Sequence, residues 1–443
     1  MKRIFIAILV LPFLTRAFAT DAAQPRIQIT PDQAFIGRAP KILLLDFPGN
    51  TAVTVEVRET NSYGDVFASH AAFLTDRHGS VNVTKQQPLS GTYQRSDPYG
   101  LFWSMSRNTN VVKAQDRAPL QPLVLQFTAS VNGQTVAQSE FTQLLLAPGV
   151  QRIPVHNGGI RGALFVPPGK SPHPAVIVFG GSEGGLGLSV QMAASYLASK
   201  GYAALALAYF SYDDLPKHLE NIPLEYFGDA IHWLQSQPEI RPDKIAVLGA
   251  SRGGELALLL GSTFPQIKAV VAISPSGVMW SGLGTNYPGP AWTYRGKPLP
   301  FMNAKLTTEQ IRSCQKAFQE HQNVSLLLCQ MNLSDTGMVE KASIPVEKIN
   351  GPVLLISGND DQLWPSTELS DMVMARLKRM KHPFPDSHLA YPGVGHYIPL
   401  PTLPATVRSF GSEQLGGSSE QTAAAALDSW TRKIKFLNDN LKE

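Results

Sequence analysis

The sequence predicts an α/β protein in which a β-sandwich of immunoglobulin-like type precedes a doubly wound, mostly parallel sheet. Three observations carry that expectation. From Arg26 to Pro148, short β-rich runs are separated by turn residues such as Pro48-Gly49-Asn50 and Asn132-Gly133. After Gly149, continuous apolar runs alternate with helix-like segments, the texture of parallel strands covered on both faces. Between one of those runs and a following helix stands Gly249-Ala250-Ser251-Arg252-Gly253, a turn that presents a serine at a sheet edge.

In chain order, Lys2 and Arg3 precede an apolar run from Ile4 to Leu14, and Ala17-Phe18-Ala19 supplies the small residues a signal peptidase reads. Residues 1–19 are therefore expected to be a cleavable signal peptide, because that run falls short of the roughly 20 apolar residues that span a bilayer. The mature chain is then expected in the periplasm or outside the cell, with no stable membrane anchor. The sandwich is assigned to residues 26–148, with strands expected at Lys41–Phe47, Ala52–Arg58, Leu123–Val131 and Glu140–Leu146. The second domain is assigned to residues 149–443. Its strands are expected at Ala175–Phe179, Ala203–Ala208, Lys244–Leu248, Ala269–Ile273 and Val353–Ile356. Helices are expected at Leu188–Lys200, Leu224–Gln237, Gly253–Ser262 and, after a Gly/Ser/Gln-rich loop, Ala423–Asn440. Residues 278–348 interrupt the alternation and carry Trp280, Tyr287, Trp292, Tyr294 and Phe301, which reads as a lid-like insertion or pocket wall.

Composition narrows the function classes. The chain has 443 residues, 43% hydrophobic and 16% charged, which fits an ordered protein of two or three domains. A net charge of +4 without a Lys/Arg block lacks the footprint of a nucleic-acid binder. No His/Cys/Asp/Glu cluster has metal-ligand spacing, and the glycines of Phe179-Gly180-Gly181-Ser182-Glu183-Gly184-Gly185 match neither a P-loop nor a dinucleotide fingerprint. No cofactor is expected; the partner is a small molecule. Cys314 and Cys329 either pair, worth about 3 kcal/mol for a loop of that size, or remain separate thiols.

The serine turn after Lys244–Leu248 makes Ser251 the candidate nucleophile of an α/β-hydrolase domain. A serine hydroxyl requires a base, and the base an orienting carboxylate, in the chain order Ser, Asp/Glu, His for this fold. Gly358-Asn359-Asp360-Asp361 follows a late strand, and Gly395-His396 follows the next. His396 is the candidate base, with His382 and His388 read as structural. Asp360 and Asp361 compete for the orienting role, and Gly-x-x-Asp spacing favours Asp361 while Asp360 caps the loop. Oxyanion donors are expected from the backbone of Arg252 and of Gly181, with Ser182 as the alternative. Arg252 and Glu255 read as an ordinary exposed pair on the helix.

These residues resemble the acyl-CoA thioesterases and bile acid-CoA:amino acid N-acyltransferase. The resemblance rests on Gly249-Ala-Ser251-Arg-Gly-Gly-Glu255-Leu, on Ala206-Leu-Ala-Tyr209-Phe-Ser-Tyr-Asp213-Asp214-Leu-Pro216-Lys217 and on Leu224-Glu-Tyr-Phe227. It continues through Gly358 to Asp361 with Trp364, and Tyr391-Pro-Gly-Val-Gly-His396-Tyr397-Ile398. In the first domain, Gly91-Thr-Tyr93 and Asp97-Pro-Tyr-Gly-Leu-Phe-Trp-Ser-Met105 resemble the family's amino-terminal sandwich. The resemblance implies acyl-thioester chemistry, with the acyl group taken by Ser251 and removed by water or an amine. It also implies hydrolysis over transfer, since the amine-transferring branch carries cysteine where this sequence has Ser251. An exported carboxylic ester hydrolase and an amine acyltransferase stay open as alternatives.

Overall fold

The computed structural model describes residues 23–60, 64–107, 119–303, 306–320 and 322–442; the expected signal peptide at residues 1–19 lies outside them. The amino-terminal part is a sandwich of two sheets. One holds Arg26–Thr30, Lys41–Leu45 and Val81–Asn82; the other is seven-stranded and centres on Ala52–Thr60, Val66–Leu74, Leu123–Val131 and Gln134–Leu144. Strict alternation explains the packing, because successive strand residues face opposite sides. Val53, Val55 and Val57 are buried while their neighbours Ala52, Thr54 and Arg58 face out, and Phe73, Phe127 and Phe141 fill the interior from adjacent strands. Glu59 continues the inward row, so a carboxylate is buried there among apolar groups.

The second part is an eight-stranded sheet. Its strands are β1 (Gln151–Asn157), β2 (Ile160–Val166), β3 (His173–Phe179), β4 (Ala203–Ala208), β5 (Ile240–Ala250), β6 (Ile267–Ile273), β7 (Val353–Gly358) and β8 (Ser387–Tyr391). They lie in the order β1-β2-β4-β3-β5-β6-β7-β8, with β1, β2 and β4 paired antiparallel and all later neighbours parallel. This is the α/β-hydrolase architecture, as expected. Strands β3, β4 and β7 are buried at every position, which is why they read as unbroken apolar runs. Helices α1 (Leu188–Ala198), α2 (Leu224–Gln235), α3 (Arg252–Thr263), α7 (Ser366–Arg379) and α8 (Ser419–Leu437) accompany the sheet. Helix α8 begins earlier than its apolar pattern suggests, because Ser418 caps it by accepting from the Gln421 N–H.

Between β6 and β7, the stretch read as lid-like contains two short strands and the helices α4 (Thr308–Gln319), α5 (Val324–Leu333) and α6 (Thr336–Ala342). Trp292 from this stretch is fully buried against Tyr209 and Phe227, whereas Tyr287 is exposed. Trp280 stacks on Trp364 at 6.3 Å between ring centroids. Helix α5 is apolar yet none of its residues is fully buried. Cys314 and Cys329 are free thiols, and burial followed by the charge of Asp361 pushes the Cys329 thiol up to about 12.

The sandwich and the sheet share one apolar core, to which Phe102, Phe127 and Phe141 contribute from one side and Ala194, Trp430 and Leu437 from the other. Polar contacts between them concentrate on residues 402–406. Thr402 Oγ1 accepts from the Gly37 N–H and from Gln143 Nε2, each at 2.8 Å, and the Ala405 N–H donates to the Trp103 carbonyl at 2.9 Å. The Thr406 hydroxyl donates to the Met105 carbonyl.

Candidate active site

Strand β5 ends at Ala250 and α3 begins at Arg252, leaving Ser251 alone in the turn with φ 57° and ψ −123°. Such backbone costs a non-glycine residue about 1–3 kcal/mol and persists only where the surroundings impose it. Here the Ser251 N–H donates to the Ile273 carbonyl at 2.8 Å, and the Ser251 carbonyl accepts from the Gly254 and Glu255 N–H groups. Both flanking glycines are required by space. A Cβ on Gly249 would lie 1.9 Å from the Gly253 carbonyl oxygen, and one on Gly253 would lie 2.3 Å from that of Gly180.

Asp361 lies in the loop after β7 and His396 in the loop after β8, the two strands at the edge of the sheet beyond β6. His396 Nδ1 and Asp361 Oδ2 are 2.8 Å apart. The other oxygen, Oδ1, accepts from the N–H groups of Leu363 at 3.0 Å and Trp364 at 3.2 Å, so the carboxylate is fixed in plane and depth. With Nδ1–H given to the carboxylate, Nε2 carries the free lone pair. The candidate base is gripped through its backbone too. Its N–H donates to the Leu415 carbonyl, and its carbonyl accepts from the Ser274 hydroxyl, both at 2.7 Å. Trp364 closes the arrangement, donating from Nε1 to the Ser274 carbonyl and meeting the His396 ring edge-on at 5.8 Å.

Ser251 reaches this assembly through β6: Ile273 receives the Ser251 N–H, and the next residue, Ser274, holds His396. Among the described residues, no hydrogen bond joins Ser251 Oγ to His396, a contact that commonly tightens only around substrate. Asp360 is turned elsewhere, accepting from the Gly417 N–H at 2.9 Å and from Gln362 Nε2 at 3.0 Å. His388 is held between Ser357 and Asp371, and His382 between Asp386 and the Ile349 carbonyl.

The loop after β3 packs against the serine. A Cβ on Gly181 would lie 3.2 Å from Ser251 Cβ, so this glycine packs directly against the candidate nucleophile. Tyr209, at the end of β4 and almost fully buried, donates to the carbonyls of Gly180 at 2.9 Å and Gly181 at 3.3 Å. Burial raises that phenol far above its ordinary range, so it stays a donor. Ser182 is exposed. The Arg252 amide opens α3, where the helix's own ladder supplies no acceptor.

The expectation of an exposed Arg252–Glu255 pair is wrong. The Glu255 side chain has no exposure and that of Arg252 only 6%. Arg252 donates to the carbonyls of Ser281 and Trp280, while Glu255 accepts from Trp292 Nε1 at 2.8 Å and the Trp280 N–H at 3.4 Å. The insertion folds over this face of α3 and buries both charges. Burial raises the Glu255 carboxyl above its usual range, and Arg252 and Trp292 oppose that shift. Tyr209, Ser274 and Glu255 were all missed as parts of the site; only Tyr209, at a strand's carboxyl end, carried a readable positional signal. Among the described residues, no group of three or more His, Cys, Asp or Glu is placed to hold a metal ion.

Comparison with known proteins adds the family context. Residues 222–443 match the family described as BAAT / acyl-CoA thioester hydrolase C terminal, and residues 40–157 match the acyl-CoA thioester hydrolase/BAAT N-terminal region. Residues 160–280 also match the dienelactone hydrolase family. Acyl-coenzyme A thioesterase 1 of Mus musculus is 32% identical over 396 residues, covering 85% of this chain and 87% of its own. Mitochondrial acyl-coenzyme A thioesterase 2 of Homo sapiens is 31% identical over 399 residues, covering 88% and 78% respectively.

Proposed function

The chain belongs to the BAAT / acyl-CoA thioester hydrolase family, and from that premise we propose that it hydrolyses acyl thioesters through an acyl-enzyme on Ser251. The observation that carries the proposal is the buried Asp361–His396 bond at 2.8 Å, gripped through Ser274 to the strand that receives the Ser251 amide. In this scheme His396 Nε2 takes the Ser251 proton as Oγ attacks the thioester carbonyl, and Asp361 stabilises the imidazolium that forms. The oxyanion is met by the amides of Arg252 and Gly181, each donor worth on the order of 3 kcal/mol. Collapse of the tetrahedral intermediate expels the thiol, protonated by His396. Water activated by the same base then releases the carboxylic acid.

Serine at position 251 supports water rather than an amine as acceptor, since the resemblance associates amine transfer with cysteine there. The amino-terminal Lys2-Arg3, its apolar run and Ala17-Phe18-Ala19 support export of the mature chain. Mass spectrometry of the periplasmic protein then finds an amino terminus near Thr20; an intact Met1 in the cytosolic fraction refutes export.

Purified wild type and Ser251→Ala, assayed in parallel on acyl-CoAs and p-nitrophenyl esters, test the chemistry. Wild type is expected to favour the thioesters, and Ser251→Ala to lose turnover by on the order of 10⁶ with its fold intact. Undiminished hydrolysis by the folded variant refutes Ser251 as nucleophile.

A further inference from the structure

One carboxylate in the site has no part in the chemistry above. The Gly181 N–H, an amide assigned to the oxyanion, donates to Glu183 Oε1 at 3.0 Å. The carboxylate lies across both glycines of the loop: a Cβ on Gly180 would be 2.9 Å from Oε1, and one on Gly181 would be 2.9 Å from Oε2. That second point is also 3.2 Å from Ser251 Cβ. The carboxylate therefore occupies the amide of the glycine that packs against Ser251, a donor assigned above to the tetrahedral intermediate.

We infer that Glu183 is an internal plug of the oxyanion hole, an autoinhibitory carboxylate that substrate must displace before Ser251 can turn over. Three further features fit a displaceable group. Glu183 is exposed, so it can leave into solvent. Among the described residues it has no ion pair, and Arg252, the residue after Ser251, is committed to Glu255 and to two carbonyls of the insertion. Gly184 and Gly185, both at positive φ of 63° and 71°, follow it, so the next two residues place no side chain in the way of the departing carboxylate. Tyr209 keeps the carbonyl side of Gly180 and Gly181 fixed meanwhile, so the amide keeps its position when the carboxylate leaves. A negative charge at this place also opposes the developing oxyanion, so its departure removes a repulsion as well as a competitor.

This inference rests on Ser251 as nucleophile with Gly181 as an oxyanion donor, and the test separates the two. The readouts are the second-order rate of labelling by an alkyl fluorophosphonate and the inhibition constant of an alkylboronic acid, both of which form tetrahedral adducts on serine. Ser251→Ala, Glu183→Ala and Glu183→Gln are compared with wild type, with circular dichroism to confirm each fold. Labelling disappears in Ser251→Ala if the serine is the nucleophile; persistence of labelling defeats that reading itself. Given its disappearance, Glu183→Ala is expected to label about tenfold faster and bind the boronate about tenfold tighter, the ratio of an ordinary hydrogen bond to a charged acceptor. KM for a p-nitrophenyl ester moves less, because a ground-state carbonyl draws little on the amide. Glu183→Gln, neutral but still able to accept, falls between the two. Labelling that is unchanged or slower in folded Glu183→Ala and Glu183→Gln overturns the plug.

Discussion

Glu255 offers the sharpest test of how the serine turn is supported. Its carboxylate has no exposure, meets Arg252 at 3.2 Å and accepts from Trp292 Nε1 and the Trp280 N–H. Glu255→Ala removes all three interactions and leaves the Arg252 guanidinium buried beside an apolar void. Removing one partner of a buried pair costs about 3–5 kcal/mol, most of it for stranding the other charge. Glu255→Gln keeps the volume and an acceptor for Trp292 but loses the charge, so its expected cost is about 1–3 kcal/mol. The double change Arg252→Met with Glu255→Met strands no charge, although it takes their partners from Trp292 Nε1 and from the Ser281 and Trp280 backbone groups, and is expected to be less destabilising than Glu255→Ala. Urea unfolding followed by tryptophan fluorescence reads these differences, since Trp280 and Trp292 are themselves partners of the pair. A loss under about 1 kcal/mol in Glu255→Ala, or a double variant as unstable as the single one, would refute the reasoning.

Asp361→Asn should fold normally and lose about 10⁴ in kcat, because an amide facing Nδ1 favours the wrong imidazole tautomer. Steady-state kinetics on the folded variant check this, and a loss under tenfold removes Asp361 from its orienting role. Glu59 gives a pH prediction. Burial without a partner for Oε2 raises its carboxyl from 4.5 to about 7. Folding thus favours the protonated form, by about 3 kcal/mol. That contribution is full below pH 4.5 and is lost as pH rises through about 7. Wild type should lose urea resistance between pH 4.5 and about 7 relative to Glu59→Gln and no more above that; parallel pH profiles for the two would contradict it.

The parts of the fold that were legible in the sequence are those set by local rules. Strands β3, β4 and β7 are buried on both faces and so announce themselves as continuous apolar runs. Ser251, Asp361 and His396 were readable because each follows a strand, in a fixed order, with glycines that the turn geometry demands. The sandwich strands were legible by alternation, but the inward place of Glu59 was not, since a charge in an alternating strand reads as solvent-facing. Arg252 and Glu255 failed for a related reason. At i and i+3 on a helix they look like a surface pair, and what buries them is a segment that returns from residues 280–292. The start of α8 was hidden because Ser418 belongs to a stretch whose composition reads as loop.

The bonds from Thr402, Ala405 and Thr406 to Gly37, Gln143, Trp103 and Met105 have a consequence for dissecting this chain. They splint the segment that follows His396, so the candidate base is braced by the amino-terminal sandwich, which holds none of the candidate catalytic residues. A fragment beginning at residue 149 would keep Ser251 and Asp361 just beyond the ends of their own strands yet release the brace behind the imidazole. Substitutions deep in the sandwich can therefore present as kinetic defects, with turnover falling before the sheet itself unfolds. In a mutational survey, the footprint of catalysis in this protein should extend across the domain boundary.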